Sequence, residues 1–163
     1  MRYYLIRHGI AEDKALYEGA DHPQRALTAK GIRRLQSAMT GLARLDVRVE
    51  RILSSPLKRA RQTADIAAQH LGAPIEEVDW LADTPNPAQL SSQLGEYQSS
   101  ALALVGHEPY LSELASWLLT ADLQRCRFVF KKGGVMCLDL AEPQAACASL
   151  CWLLTPRQLR RLA

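Results

Sequence analysis

Two arginines and two histidines lie where they could form one anion-binding site. Arg7 and His8 follow a short apolar run, Arg59 lies in the first turns of a predicted helix, and His107 follows another apolar run. Arginine binds phosphoryl groups through charge-assisted, often bidentate hydrogen bonds, and a neutral imidazole can attack phosphorus. Nearby cations would lower the pKa of His8 and keep it unprotonated near neutral pH. These residue types indicate phosphoryl transfer.

Alternating strands and helices are predicted to bring these residues together. The strongest predicted strands are three apolar runs, at 2–7, 49–54 and 101–105. Strands that alternate with helices indicate an α/β fold, a three-layer sandwich with a mostly parallel central sheet, which we expect to form one domain over residues 1–163. Ligands bind outside the carboxyl ends of the strands in such sheets. His8, Arg59 and His107 would then meet at one edge.

Capping and turn signals predict the other elements. Thr28 can cap a long helix, and Ser55 can cap a second helix that begins at Pro56. The segments 128–131 and 135–140 flank a Lys-Gly-Gly turn and are predicted to form a hairpin. The remaining predicted elements are strands over 74–78 and 148–154 and helices over 87–96, 109–119 and 156–162.

Composition argues against several other classes of protein. The formal net charge of +3 is too small to indicate nucleic-acid binding. No run approaches the roughly 20 apolar residues that span a bilayer, and no signal-peptide pattern is present, so we expect a cytoplasmic protein with no membrane partner. No Cys-x-x-Cys pair is present, and we expect reduced thiols, no metal and no cofactor; the cysteines are Cys126, Cys137, Cys147 and Cys151.

Three short motifs resemble the signatures of the histidine phosphatase superfamily, which has a phosphoglycerate mutase-like fold. They are Leu-Ile-Arg-His-Gly at 5–9, Ser-Ser-Pro-x-x-Arg-Ala-x-Gln-Thr at 54–63 and Gly-His-Glu-Pro at 106–109. The resemblance covers nearly the whole chain, in the family's order and spacing. The short length and the Leu-Thr-x-x-Gly element at 27–31 most resemble the small SixA-type phosphohistidine phosphatases.

The resemblance implies a metal-independent phosphatase that works through a covalent phosphoryl group on His8. It implies that Arg7, Arg59 and His107 bind this phosphoryl group, and we expect Gly9 to contact the substrate as well. Mutase activity is not expected, because the chain lacks the length for an enclosing lid.

The proton donor for the leaving group has no clear match in the sequence. Ester-cleaving relatives place a carboxylic acid after the third strand, where this chain has Asp83 as a possible general acid. A phosphoramidate needs less help, because its leaving imidazole can carry its own proton. This difference favours a phosphohistidine substrate. Glu108 could contact the substrate or could simply charge the start of a helix.

We therefore predict a phosphohistidine phosphatase whose partner is a phosphohistidine-bearing protein domain. The alternatives are a phosphomonoesterase for a small metabolite or phosphoserine substrate, and a non-catalytic binder of phosphoproteins. Short loops predict an open site, which suits a side chain presented on a protein surface. The predicted rim residues are Lys14, Arg25, Glu108 and Lys132. Residues interpreted as solvent-exposed without a role include His22, His70, Arg157, Arg160 and Arg161.

Overall fold

The computed structural model describes residues 1–17, 22–82 and 85–163 of the chain. The strands are β1 (Arg2–Arg7), β2 (Arg51–Ser54), β3 (Ile75–Glu77), β4 (Ala101–Gly106), β5 (Val135–Leu140) and β6 (Ala148–Leu154). The α-helices are α1 (Ala29–Ala43), α2 (Lys58–Leu71), α3 (Pro87–Gly95), α4 (Tyr110–Thr120) and α5 (Pro156–Arg161). Within these ranges, no helix is long and apolar enough to cross a bilayer.

The strands form one mixed sheet with the order β3-β2-β4-β1-β5-β6. The first four strands in this order are parallel, whereas β5 runs antiparallel to β1 and β6 runs antiparallel to β5. This arrangement confirms the predicted mostly parallel sheet. The carboxyl ends of β1, β2 and β4 consequently lie together at one edge.

Helices cover both faces of the sheet, which explains why its central strands are apolar without alternation. Tyr4 and Ile6 of β1 point into one core, and Tyr3 and Leu5 point into the other. The first core includes Leu35 of α1, Ala64 of α2 and Leu159 of α5, and the second includes Leu94 of α3 and Leu114 of α4. The predicted three-layer sandwich is therefore confirmed.

The predicted hairpin between 128–131 and 135–140 is wrong. The first segment is not a strand, and β5 pairs instead with β1 and β6. Almost all of β5 is buried, so both of its hydrogen-bonding edges need partners inside the sheet. The turn at residues 132–134 serves β1 rather than a hairpin, because Gly133 N donates to the carbonyl of Arg7.

The second predicted helix begins two residues later than its sequence suggests. Ser55 is not the residue before the helix, since α2 starts at Lys58 with Leu57 at its cap position. The Ser55 hydroxyl instead lies 2.9 Å from Nε2 of His107 and accepts weakly from the Leu57 amide at 3.3 Å. The Ser55 hydroxyl, which the local sequence predicts as a helix cap, therefore contacts His107 at the end of a distant strand.

Candidate active site

The strand register places the predicted motifs side by side. Arg7 at the end of β1 is level with Gly106 at the end of β4, and His8 N donates to the Gly106 carbonyl at 3.0 Å. At the end of β2, Ser55 N donates to the carbonyl of Val105 in β4, also at 3.0 Å. All three motifs thus leave the sheet at the same edge.

His8 and His107 face each other, as the sequence predicts. Their ring centroids are 5.1 Å apart, with an angle of 49° between the ring planes. Both side chains are buried, with exposures of 6% and 8%. The contact between His107 Nε2 and the Ser55 hydroxyl orients the second ring. One phosphoryl group could therefore contact both imidazoles.

The surroundings of His8 hold it neutral in one tautomer. Its Nδ1 lies 2.7 Å from the Gly9 carbonyl, which can only accept, so Nδ1 carries the proton and Nε2 keeps a lone pair. The pKa of His8 is lowered to about 3, mainly by burial and then by the neighbouring His107, Arg59 and Arg7, while the hydrogen bond with Gly9 opposes this shift. His8 can act as a nucleophile at neutral pH without first losing a proton.

Two guanidinium groups lie close enough to His8 to act on its charge. Arg59 is 1% exposed, and its Nη1 donates to the backbone carbonyl of His22 at 3.3 Å. Arg7 is half-buried, and its Nη1 donates to the carbonyl of Phe130. Its Nε is buried and meets no hydrogen-bond acceptor among the described residues. An anion beside His8 would supply that acceptor.

Polar residues of α2 tie the site together, and their roles were not predicted. Thr63 accepts from the Gly9 amide at 3.1 Å and donates to the Arg59 carbonyl at 2.7 Å. Gln62 accepts from the Leu27 amide at 2.7 Å. The signal was present, because both residues belong to the second sequence motif. They hold the loop after β1 and the loop before α1 against α2.

The Leu-Thr-x-x-Gly element positions the loop that follows His8. Thr28 caps α1 as predicted, because its hydroxyl accepts from the Gly31 amide at 3.0 Å, and its own amide donates to the Ile10 carbonyl at 2.9 Å. A Cβ placed on Gly31 would lie 2.1 Å from that same carbonyl oxygen. Only glycine therefore allows the Ile10 backbone to pack on α1.

The turn at residues 132–134 places a lysine beside the nucleophile. Gly133 has φ of 77°, and its amide donates to the carbonyls of Arg7 and His8, both at 3.0 Å. Gly134 completes the contact by accepting from Arg7 N at 3.2 Å. Lys132 is largely exposed at this turn. Its pKa is lowered by the part of its side chain that is shielded from water and by the charges of neighbouring cations, of which Arg7 has the largest effect.

The predicted rim is only partly correct. Lys14 is exposed, but Arg25 is buried, at 4% exposure, and its Nε and Nη2 donate to the Glu12 carbonyl at 3.0 and 2.6 Å. Arg25 fails as a rim residue because it supports its own loop. His22 is exposed as predicted and stacks on Tyr17 at 5.1 Å.

Glu108 provides a half-buried carboxyl group next to His107. Its Oε2 accepts from the Ser112 hydroxyl at 2.6 Å, and its buried Oε1 has no donor among the described residues. Burial raises the pKa of Glu108, although the Ser112 hydrogen bond and the charge of Arg7 oppose that rise. This carboxyl therefore keeps its proton to a higher pH than an exposed glutamate does. The other possible acid, Asp83, lies outside the described residues.

Cationic side chains surround the candidate active site. In the part of the chain that the structure describes, no group of three or more His, Cys, Asp or Glu residues could hold a metal ion. Arg7 and Arg59 act electrostatically on His8, and Lys132 lies near both arginines. They would neutralise the charge of a phosphoryl group.

Comparison with known proteins identifies the family. The model of the histidine phosphatase superfamily (branch 1) matches residues 3–85. An uncharacterized protein of Picosynechococcus sp. is 40% identical over 119 residues, which is 71% of each chain. The chain therefore belongs to the histidine phosphatase superfamily and is a phosphatase.

Solved structures share the fold over almost the full length. The protein histidine phosphatase SixA, solved with tungstate, has a TM-score of 0.82 at 24% identity, covering 98% of this chain and 99% of its own. The alpha-ribazole phosphatase of Shigella flexneri has a TM-score of 0.73 at 22% identity, covering 96% and 97%. These similarities confirm the phosphoglycerate mutase-like fold. They include phosphatases named for different substrates.

Proposed function

We propose that this phosphatase removes the phosphoryl group from a phosphohistidine on a partner protein domain. The observation that carries the proposal is the state of His8. A buried, neutral imidazole with its proton held on Nδ1 presents the Nε2 lone pair between two cationic side chains and a second histidine. This is the arrangement that a nitrogen nucleophile for phosphorus requires.

In the first proposed step, Nε2 of His8 attacks phosphorus. A bond forms between Nε2 and phosphorus while the bond from phosphorus to the substrate imidazole breaks, and the leaving imidazole keeps the proton on its other nitrogen. Arg7 and Arg59 stabilise the charge on the equatorial oxygens. His107, oriented by Ser55, contacts the same group.

In the second proposed step, water attacks the phosphoryl group on His8. The bond between Nε2 and phosphorus breaks, both protons of the water leave with inorganic phosphate as dihydrogen phosphate, and the neutral tautomer of His8 is restored. Neither step uses a cofactor or a metal. The Gly9 carbonyl keeps the proton on Nδ1 through both steps. The His8 ring therefore has the same orientation as nucleophile in the first step and as leaving group in the second.

The leaving group separates this proposal from its main alternative. Imidazole leaves with little acid catalysis, whereas an alkoxide needs a proton donor. The raised pKa of Glu108 favours one alternative, a phosphomonoesterase for a small metabolite or a phosphoserine protein. Glu108 would then protonate the ester oxygen. A cytoplasmic location for either enzyme stays a prediction.

Two measurements test the proposal. Turnover of a folded phosphohistidine protein is compared with that of phosphoserine protein, free phosphohistidine and sugar phosphates, and the folded phosphohistidine protein should be fastest. Rapid acid-free quenching should trap phosphate on a peptide containing His8, and His8→Ala should abolish both turnover and labelling. Equal turnover of metabolites and every phosphohistidine protein tested would favour the phosphomonoesterase. Full activity in His8→Ala would show that the nucleophile is wrong.

A further inference from the structure

A small cavity lies next to the loop that follows His8. Four parts of the chain line it, and the lining residues are Gly9, Ile10, Gly31, Arg34, Leu35, Lys132, Gly133, Pro156 and Arg160. Its volume is about 40 Å³. One water molecule needs roughly 10–15 Å³. The cavity therefore has room for a group of a few atoms, such as a carboxylate.

Three cations from separate elements converge on this cavity. Arg34 comes from α1, Lys132 from the turn before β5, and Arg160 from α5. Within the described residues, no carboxylate lines the cavity, and none of these three cations forms an ion pair. Arg160 is half-buried, whereas Arg157 and Arg161 of the same helix are exposed.

Apolar side chains in the lining strengthen the attraction between these cations and a bound anion. Leu35 and Pro156 add apolar side chains to the lining of the cavity. An anion that enters is partly shielded from water, and an ion pair is stronger at a lower effective dielectric constant. Among the described residues, positive charge without a carboxylate in the lining, together with the apolar side chains, fits a small anionic group and disfavours a cation or a neutral side chain.

Backbone contacts place this cavity one residue from the reacting imidazole. Gly9 lines the cavity, and its carbonyl accepts from His8 Nδ1. Gly133 also lines it, and its amide donates to the His8 carbonyl at 3.0 Å. Lys132 lies within electrostatic range of both Arg7 and Arg59. Lys132 therefore belongs both to the lining of the cavity and to the group of cations that includes Arg7 and Arg59.

We propose that this cavity is a second anion subsite, which binds a carboxylate carried close to the phosphoryl group on the same substrate. In the proposed phosphohistidine phosphatase, on which this inference rests, the carboxylate belongs to an acidic residue near the phosphohistidine. A phosphorylated metabolite could offer the same chemistry. The subsite would make the enzyme select substrates with two anionic groups.

The test uses Arg34→Gln, Arg160→Gln and the double variant. Matched controls are Arg33→Gln and Arg161→Gln, because these exposed arginines are the next residues on the same helices and do not line the cavity. One probe pair is a phosphohistidine peptide with either Glu or Gln beside the phosphohistidine. The other pair is 3-phosphoglycerate and glycerol 3-phosphate.

We expect each single variant to lower kcat/KM for the Glu peptide about threefold, and the double variant about tenfold, mainly through KM. The cavity variants should turn over the Gln peptide within about twofold of the wild-type rate, because this peptide lacks the carboxylate. The two control variants should turn over the Glu peptide within about twofold of the wild-type rate, because their cavity is unchanged. Thermal unfolding checks that each variant is folded. If the double variant does not fold, the single variants carry the comparison.

An equal loss for the Glu and Gln peptides would overturn the subsite, because the cations would then act only as a general field. No loss with any probe would overturn it as well. A loss confined to the 3-phosphoglycerate pair would support the subsite and assign its ligand to a metabolite. The proposed function fails separately, if neutral phosphate esters are turned over faster than the Gln phosphohistidine peptide by the wild-type enzyme.

Discussion

Burying a neutral His8 should make the stability of the fold depend on pH, and His8→Gln should remove that dependence. The folded-state pKa of about 3 lies below the unfolded value of roughly 6.5. Between these values the unfolded chain binds a proton that the folded protein excludes. Stability is therefore fully present above pH 6.5 and is lost as the pH falls toward 3.

The magnitude follows from the linkage relation. Between pH 7 and pH 5, these two pKa values correspond to a loss of about 2 kcal/mol in the free energy of unfolding. The slope approaches about 1.4 kcal/mol per pH unit below pH 6. Glutamine is polar and close in size to histidine, and it does not titrate, so the variant keeps every other source of pH dependence.

Urea unfolding at several pH values, in a buffer free of phosphate, measures this difference. The wild type should lose about 2 kcal/mol more than His8→Gln between pH 7 and pH 5. Above pH 7.5 the two curves should run parallel, which serves as an internal control. Parallel curves down to pH 5 would refute the reasoning, because they would mean that His8 accepts a proton in the folded state as readily as in the unfolded chain.

Other changes test the remaining parts of the site. Arg59→Ala should lower kcat by about 10²–10³ through lost charge stabilisation, and steady-state kinetics with near-normal kcat would contradict this role. Thr63→Ala should lower the free energy of unfolding by about 1–2 kcal/mol and reduce activity, because the Gly9 amide loses its acceptor, whereas Thr63→Ser should retain both. Glu108→Gln should slow phosphoserine turnover by about tenfold or more and leave phosphohistidine turnover within twofold; in the wild type the ester rate should fall as pH rises through the raised pKa of Glu108. An equal effect on both substrates would exclude proton donation by Glu108. EDTA should leave turnover unchanged, and activity that is lost with EDTA and restored by a metal would refute the metal-free mechanism.

Features that depend on neighbours in the chain were predictable. The apolar run at β1 and the Thr28 cap of α1 follow from local patterns, and both are confirmed. The meeting of His8 and His107 was also predictable, because parallel strands place their carboxyl ends at one edge. The α/β fold class was predictable too, because the alternation of strands and helices can be read from local patterns along the chain.

Features that depend on distant partners were not predictable. The Ser55 hydroxyl contacts His107, 52 residues away, rather than serving as the cap of α2. Arg25 turns inward to the Glu12 carbonyl, which no local signal distinguishes from an exposed arginine. The segment β5 pairs with β1, more than 100 residues before it, instead of with the segment that precedes it. In each case a contact across the fold outweighs the local preference.

The sequence by itself determined which chemical groups lie at the carboxyl ends of β1, β2 and β4, because residue type and position after a strand are both local properties. Only the tertiary structure decided how those groups act. The Gly9 carbonyl selects the tautomer of His8, and burial sets its charge. Arg34, Lys132 and Arg160 surround one cavity although they are spread over more than 120 residues, since the packing of α1, α5 and the 132–134 turn brings them together. Distances and burial of this kind exist only once the layers have packed.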